Sequence, residues 1–385
     1  MPFKDDMTPS PQSLLQAPTP ALVLDEARLT ANIRRMEDHL APFDVVFRPH
    51  VKTAKSPDVL RTVFGGTGPI TVSTLLEAQM FAEAGFDDIL YAVGIVPAKL
   101  DAVRTLADAG VRMQIILDEA DVAHAVADTI AGNSGITVLI EVDCDGHRSG
   151  VAPEADDLLV IGRTLADAGL LCGVLTHAGE SYSCQGADAI AAHAEIERAG
   201  LVRAAERLRA AGLPCPVVSM GSTPTALFVQ ALDGITEVRA GVYMFQDLVM
   251  AGIGVCQPEE IALSVLATVI GYQKAQGRLV IDAGWMAMSR DRGTAAQRVD
   301  QGYGLVCDAG GTIIGDLIVT GANQEHGLVG HRDGTPLDFS AYPIGTRLRI
   351  LPNHACATAA QHPAYLLSNR DGMVRARWPR FSGWM

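Results

Sequence analysis

Paired cysteines are what this sequence most plainly lacks. Its seven cysteines (144, 172, 184, 215, 256, 307 and 356) are odd in number, scattered and never spaced C-x-x-C. That argues against a disulfide framework and against a structural zinc finger. Nowhere do 18 apolar residues follow one another, so no membrane-spanning helix is expected. The opening MPFKDDMTPSPQSLLQAPTP has neither the apolar core nor the small-residue cleavage site of a secretory signal. Basic residues are in deficit: 30 Lys and Arg face 44 Asp and Glu, a formal net charge of -14. This balance argues against nucleic acid or an anionic membrane as a partner, while leaving room for a local basic pocket that takes a phosphate. With 48% hydrophobic and 19% charged residues, the chain is too apolar for disorder. Its 385 residues suffice for two or three domains with sizeable cores. The expectation is an acidic, cytoplasmic protein of enzyme size.

From residue 44 to about 243, short apolar runs alternate with Ala- and Leu-rich helical stretches such as TLLEAQMFAEAG and EADVAHAVADTIAG. The strand candidates are 44–50, 69–74, 87–94, 112–118, 136–143, 171–178, 216–222 and 236–243. Continuous apolar runs separated by helices read as parallel strands covered on both faces. Eight of them over about 200 residues predict a closed (β/α)8, TIM-like barrel, with an open doubly wound sheet as the alternative. After residue 256 the texture changes to β-rich segments broken by Gly, Asp and Pro, as in IALSVLATVIGY, GRLVIDAG, GTIIGDLIV and GTRLRILP. The domain expectation is therefore a barrel over 23–257 and an all-β domain over 258–385, the latter joined by residues 1–22. A strand at 21–25 and a helix at 27–43 precede the barrel.

Polar residues collect where the barrel strands end, the face on which such barrels place their active sites. Arg48-Pro49-His50 is followed by Lys52, and Asp143 leads into DGHRSG with Arg148. His177 precedes Ser181 and Tyr182, and the last two strands end in Gly221-Ser222-Thr223 and Arg239-Ala240-Gly241-Val242-Tyr243. Lys52 is a surface lysine or, partly desolvated at the rim, one able to form a Schiff base. The GST-P run is an ordinary helix cap or, with Gly241-Val242, an anion cradle. A phosphate cradle opposite a lysine is what a pyridoxal phosphate site requires. In the β-rich half, His354-Ala355-Cys356 would put imidazole and thiol on one face of an extended strand, a pairing suited to zinc unless it is chance. Two ligands leave open positions for water or substrate. The polar runs Asn323-Gln324-Glu325-His326 and Ser289-Arg290-Asp291-Arg292 could line a pocket or simply make turns.

RPHVKTAK around Lys52 resembles the Schiff-base segment of fold-type III pyridoxal phosphate enzymes, and more narrowly that of the D-serine dehydratase and D-threonine aldolase family. The likeness runs from TPALVLD at 19–25 through DGHRSG, LTHAG, GSTPTAL, EVRAGVY, DAGWMAMSRDRGTA and GANQEHG to PNHACAT at 352–358. The last of these runs look most like those of the family's bacterial dehydratases of D-threo-3-hydroxyaspartate. The resemblance implies an alanine-racemase-like barrel followed by a β-domain. It implies Lys52 as the residue bonded to the cofactor, Arg148 at the phenolic-oxygen side, His177 against the ring and Tyr182 near the pyridine nitrogen. Ser222, Thr223, Gly241, Val242 and Tyr243 would take the phosphate, and His354 and Cys356 a divalent metal. Cysteine at 356, where the aldolase branch usually has aspartate, favours zinc over manganese or magnesium. Ala54 departs from the family, which often carries histidine there.

The activity so implied is β-elimination from D-3-hydroxy amino acids: D-threo-3-hydroxyaspartate to oxaloacetate and ammonia, and D-serine to pyruvate and ammonia. Arg290 or Arg292 is the choice for the substrate's extra carboxylate, and Gln324 is a further substrate candidate. The competing reading is a D-threonine-type aldolase giving glycine and an aldehyde. A racemase leaves the metal pair unexplained, and a non-catalytic cofactor carrier leaves the β-domain unexplained. A homodimer is the assembly the resemblance implies.

Overall fold

The computed structural model describes residues 13–384. Its contacts divide the chain into two units. One comprises 33–243 with 253–255 and 381–384; the other comprises 13–32, 244–252 and 256–380. Each is described by itself.

The opening strand β1 (Ala21–Asp25) and residues 26–32 of α1 (Glu26–Leu40) group with the second unit, and the rest of α1 leads into the first. The first unit then alternates strand and helix. Its strands are β2 (Val46–Phe47), β3 (Ile70–Val72), β4 (Asp88–Gly94), β5 (Arg112–Leu117), β6 (Ile136–Glu141), β7 (Leu171–Leu175), β8 (Val217–Met220) and β9 (Glu237–Val238). All eight fall within the predicted runs. They pair in parallel in the order β2-β9-β8-β7-β6-β5-β4-β3. The ring closes just beyond β2, where Val51 donates to the Thr71 carbonyl at 2.8 Å and Thr71 to that of Pro49 at 2.9 Å. Closure decides for the barrel over the open sheet.

The intervening helices are α2 (Pro57–Phe64), α3 (Leu75–Glu83), α4 (Leu100–Asp108), α5 (Ala120–Ile130), α6 (Asp157–Asp167), α7 (Ala187–Ala210) and the short α8 (Thr223–Phe228). Local chemistry sets their limits. Pro57 opens α2 at a position needing no N–H, and Gly65 closes it in the left-handed conformation at φ 64. Thr74 caps α3 by accepting the Glu77 N–H at 3.0 Å. Leu90, Ile116, Leu139 and Leu175, from four successive strands, form one buried apolar cluster.

The second unit is antiparallel apart from one pairing. Its strands are β1, β10 (Leu263–Gln273), β11 (Arg278–Ile281), β12 (Leu305–Asp308), β13 (Ile313–Ala322), β14 (Gly327–His331), β15 (Arg347–Leu351), β16 (Ala364–Ser368) and β17 (Val374–Pro379). The order β11-β14-β13-β12-β15-β10 closes through a β11–β10 pairing into a six-stranded barrel, from which β1, β16 and β17 continue. β10 bends at an irregularity between Val269 and Gly271, serving β1 and β15 with its first half and β11 with its second. Three short helices, α9 (Leu248–Gly252), α10 (Trp285–Met288) and α11 (Ala355–Ala359), fill its connections.

The unit boundaries differ from the expected cuts at 22/23 and 257/258. β1 is bonded on one side to β10 and on the other to β16, and residue 245 accepts the N–H of Ala262 at 2.8 Å. Of the N-terminal segment, Leu14 and Ala17 pack with Val23, Leu266 and Leu366 in this unit; residues 1–12 lie outside the described residues. Among the described residues no helix is long and apolar enough to cross a membrane.

Candidate active site

In the barrel the strand ends converge as the sequence suggested. After β2 the chain turns tightly: Lys55 donates its N–H to the Val51 carbonyl at 2.7 Å and adopts φ 46. The Lys55 ammonium lies 3.0 Å from buried Glu77, whose other oxygen accepts the Ser73 N–H at 2.7 Å. The turn that presents Lys52 is thus tied to the start of α3. His50, which precedes it, donates its main-chain N–H to Ala240 at 2.8 Å. A side chain at Gly241 would put Cβ 3.1 Å from the His50 carbonyl and 3.2 Å from Thr53 Oγ1, a tight fit that would push the ends of β2 and β9 apart by a few tenths of an ångström.

Two histidines face Lys52. Burial, followed by the charges of Lys52 and Arg239, holds His50 well below the usual imidazole range. Burial, with Lys52 and Arg148 next, brings His177 to about 3. Both rings are therefore neutral near pH 7, and His177 Nδ1 donates to the Gly221 carbonyl at 3.2 Å. Tyr182 stands with its ring centroid 6.3 Å from that of His177. Arg148 lies 3.7 Å from Glu141, its side chain 55% exposed.

The two strand ends expected to form a cradle meet here. Ser222 caps α8 by accepting the Thr225 N–H at 3.3 Å, and its hydroxyl also meets that of Ser181 at 3.0 Å. The helix starts at Thr223, directly after this cap. Thr223 Oγ1 accepts the Tyr243 N–H at 3.0 Å, which fixes the β9 loop beside the cap. The main-chain N–H groups of Thr223, Gly241 and Val242 have no acceptor among the described residues. Three such donors in adjoining turns match the needs of a phosphate. The buried Tyr243 hydroxyl also has no partner among the described residues.

A chain of buried charges runs behind these groups. Arg48 donates from Nε to Glu237 at 2.6 Å and from Nη1 to Asp88 at 2.6 Å. Ser219 donates to the other oxygen of Glu237 at 2.6 Å and accepts from Arg239 Nε at 2.8 Å. Arg239 also donates to the Thr176 carbonyl. Buried Glu197, on α7, accepts the N–H groups of Ala178 at 3.2 Å and Gly221 at 3.0 Å, joining the His177 loop to the cradle.

The β-rich unit holds the second group of candidates. His354 and Cys356 do not lie on an extended strand as expected. His354 is the residue before α11 and Cys356 lies in its first turn, so a cap turn rather than strand periodicity brings imidazole and thiol together. His354 Nδ1 meets Asp291 Oδ2 at 2.7 Å. That bond, followed by one to Cys356, raises His354 to about 11. Buried Asp247 accepts the N–H of Ala355, between the two candidates, at 3.0 Å and that of Met250 at 2.9 Å. Among the described residues no three His, Cys, Asp or Glu side chains converge as a metal group. An ion here would therefore take two protein ligands and keep open positions, and imidazole with thiolate suits zinc.

The substrate candidates fare differently. Arg290 is exposed, with its guanidinium 4.8 Å from the Trp285 ring centroid, and it directly precedes Asp291, which touches His354. Gln324 lies exposed in the turn joining β13 and β14, where its carbonyl accepts the Met286 N–H at 3.2 Å. The turn reading of 323–326 therefore holds, and among the described residues no hydrogen bond joins Gln324 to His354. Arg292 is committed to Asp300 at 2.7 Å. Asp247, Glu197, Lys55 and Glu77 were not singled out from sequence.

The alanine racemase N-terminal domain model matches residues 24–248, and a serine dehydratase domain model matches 262–368. The chain is 55% identical over 381 residues to D-threo-3-hydroxyaspartate dehydratase of Delftia sp. strain HT23, covering 97% of this chain and 99% of that one. The chain belongs to the D-serine dehydratase and D-threonine aldolase family. A solved structure of the Delftia enzyme superposes with a TM-score of 0.95, covering 97% of this chain and 100% of that one at 53% identity. Other solved structures of a D-threo-3-hydroxyaspartate dehydratase, at 53% identity, include a histidine-to-alanine mutant and a cysteine-to-alanine mutant in the metal-free form. D-threonine aldolase of Arthrobacter sp. is more distant, at 32% identity over 95% of this chain and 92% of that one. The family accounts for both the alanine-racemase-like barrel and the β-barrel that follows it. Its members of this kind are lyases, and so is this chain.

Proposed function

We propose that this enzyme dehydrates D-3-hydroxy amino acids, taking D-threo-3-hydroxyaspartate to oxaloacetate and ammonia and, as a second substrate, D-serine to pyruvate and ammonia. The observation that carries the proposal is the His354–Cys356 turn, with Asp291 on the imidazole. It offers a thiol-containing two-ligand site in a chain whose barrel also has the donors for pyridoxal phosphate. Both donor sets fit their groups: Lys52 with three partnerless N–H groups for the cofactor, and imidazole plus thiol for zinc.

When bound, pyridoxal phosphate supplies an electron sink at the substrate's Cα and the metal supplies a Lewis acid for its β-oxygen. Lys52 would hold the cofactor covalently, and its freed amine would take the substrate's Cα proton. Thr223, Gly241 and Val242 bind the phosphate through main-chain N–H groups, with the Ser222 hydroxyl and Tyr243 beside them. Neutral His177 would face the cofactor ring without adding charge to it, and Arg148 and Tyr182 would serve its polar groups. His354 and Cys356 hold the metal, and Arg290 binds the β-carboxylate. Loss of the Cα proton and of the β-hydroxyl as water leaves an enamine, and its hydrolysis returns one water and releases ammonia. The working assembly is a homodimer, which sedimentation of the cofactor-loaded protein would measure.

The test is product analysis. Protein loaded with pyridoxal phosphate and zinc is offered D-threo-3-hydroxyaspartate, D-serine and D-threonine in parallel, with and without chelator. Ammonia and a 2-oxo acid, lost on chelation, are expected. Glycine plus an aldehyde would make it an aldolase instead. Lys52→Ala removes the visible absorbance of lysine-bound cofactor; unchanged absorbance would reject the assignment of that lysine.

A further inference from the structure

We infer that Asp291 is a positioning residue for the metal: it fixes the ring orientation and tautomer of His354, so that Nε2 is the nitrogen turned to the ion. The inference rests on the metal reading of His354 and Cys356 given above. Four observations carry it. Asp291 Oδ2 lies 2.7 Å from His354 Nδ1, so that nitrogen is occupied by a carboxylate and only Nε2 remains for coordination. The other oxygen, Oδ1, accepts the Gly293 N–H at 2.8 Å, which stops the carboxylate from rotating away. The loop bearing Asp291 is itself fixed. Buried Asn353, the residue before His354, donates to the carbonyls of Asp291 at 3.1 Å and Gly302 at 2.7 Å, while Thr294 donates to Asn353 Oδ1 at 3.1 Å. Finally, Asp247 holds the main chain at Ala355. Backbone and ring of the first ligand are thus set by separate carboxylates, Asp247 on the main chain and Asp291 on the side chain.

A carboxylate on the far nitrogen of a ligating histidine selects the tautomer and raises the basicity of the coordinating nitrogen, and losing it typically weakens metal binding about 10–100-fold. A loop brace would behave differently. It would lower the stability of the metal-free protein and leave zinc affinity intact.

The experiment is zinc titration of the full-length, cofactor-loaded protein against a chromophoric chelator, for wild type, Asp291→Ala, Asp291→Asn and a His354→Ala/Cys356→Ala double variant. Thermal denaturation of each metal-free form runs alongside. Asp291→Ala should weaken zinc about 10–100-fold with the metal-free melting temperature little changed. Asp291→Asn, which can still accept the Nδ1 proton but carries no charge, should recover part of that loss. Nitrogen-15 spectra of zinc-loaded wild type should show His354 metallated at Nε2 and protonated at Nδ1. Asp291→Ala that binds zinc within about threefold of wild type, or metallation at Nδ1, overturns the inference. Wild type binding zinc no better than the double variant instead overturns the metal reading itself, and the inference with it.

Discussion

Glu237→Ala tests how the barrel keeps its interior charges. The side chains of Arg48 and Glu237 are only 4% and 5% exposed and meet at 2.6 Å; Asp88, the second partner of Arg48, is 23% exposed. Removing Glu237 takes the acceptor from Arg48 Nε and from the Ser219 hydroxyl, and leaves the guanidinium with the Asp88 carboxylate and long bonds of 3.4 Å to the Ile70 and Asp88 carbonyls. Breaking a buried pair by deleting one partner costs about 3–5 kcal/mol. The surviving contact with Asp88 puts this case at the lower end, and the stranded hydroxyl adds about 1 kcal/mol. The expected loss is about 4 kcal/mol, or about 8–16 °C for a unit of this size. Scanning calorimetry at one fixed scan rate measures it. Arg48→Met/Glu237→Leu should recover most of the loss, because packed apolar groups replace a buried ion pair at little cost and Asp88 can turn to water. A loss below about 1 kcal/mol for Glu237→Ala, or a double variant no more stable than the single one, would refute the reasoning.

Gly173 sits in β7 at φ 151, and a Cβ there would lie 1.9 Å from the Val217 carbonyl of β8. Gly173→Ala should therefore part the two strands and cost about 3 kcal/mol or more, seen as a lower denaturant midpoint. Acid should destabilise the barrel through His177. Above about pH 6.5 its ring is neutral in both folded and unfolded chains. As pH falls toward its folded value of about 3, the unfolded chain binds a proton that the folded one refuses, so stability is lost across that window. His177→Gln should flatten the stability-versus-pH slope there by about 1.4 kcal/mol per pH unit, and an unchanged slope would count against the buried neutral ring. Cys356→Asp should move metal preference from zinc toward manganese, measured by competition between the two ions; a retained zinc preference would show that the sulfur does not set it.

The barrel was legible because each of its strands advertises burial on both faces. β2 and β9 have only two residues each, yet their apolar runs with polar ends stood out. In the β-rich unit β14 is glycine-rich and β17 alternates half-buried and exposed positions, so neither shows a continuous apolar run. The metal candidates were legible as residue types but not as geometry, since nothing in PNHACAT marks a helix that begins after His354. Their support was least visible of all. Asp291 and Asp247 are 63 and 108 residues from the groups they contact, and a single carboxylate in a loop gives no local sign of what it will meet. Glu197 is hidden for another reason, because in an amphipathic helix rich in Glu and Arg a fully buried glutamate looks like any solvated one.

The course of the chain through its β-rich unit has a consequence for synthesis. β1 leaves the ribosome well before its hydrogen-bonding partners, β10, beginning at Leu263, and β16, beginning at Ala364. At about 5–20 residues per second, about 12–48 s separate the emergence of β1 from that of its first partner. For that time Leu22, Val23 and Leu24, buried in the finished protein, are carried on a strand with both edges open. A nascent chain of this design exposes an adhesive segment while the whole barrel is being made. The three apolar residues of β1 are accordingly where a holdase chaperone would bind with most effect on yield.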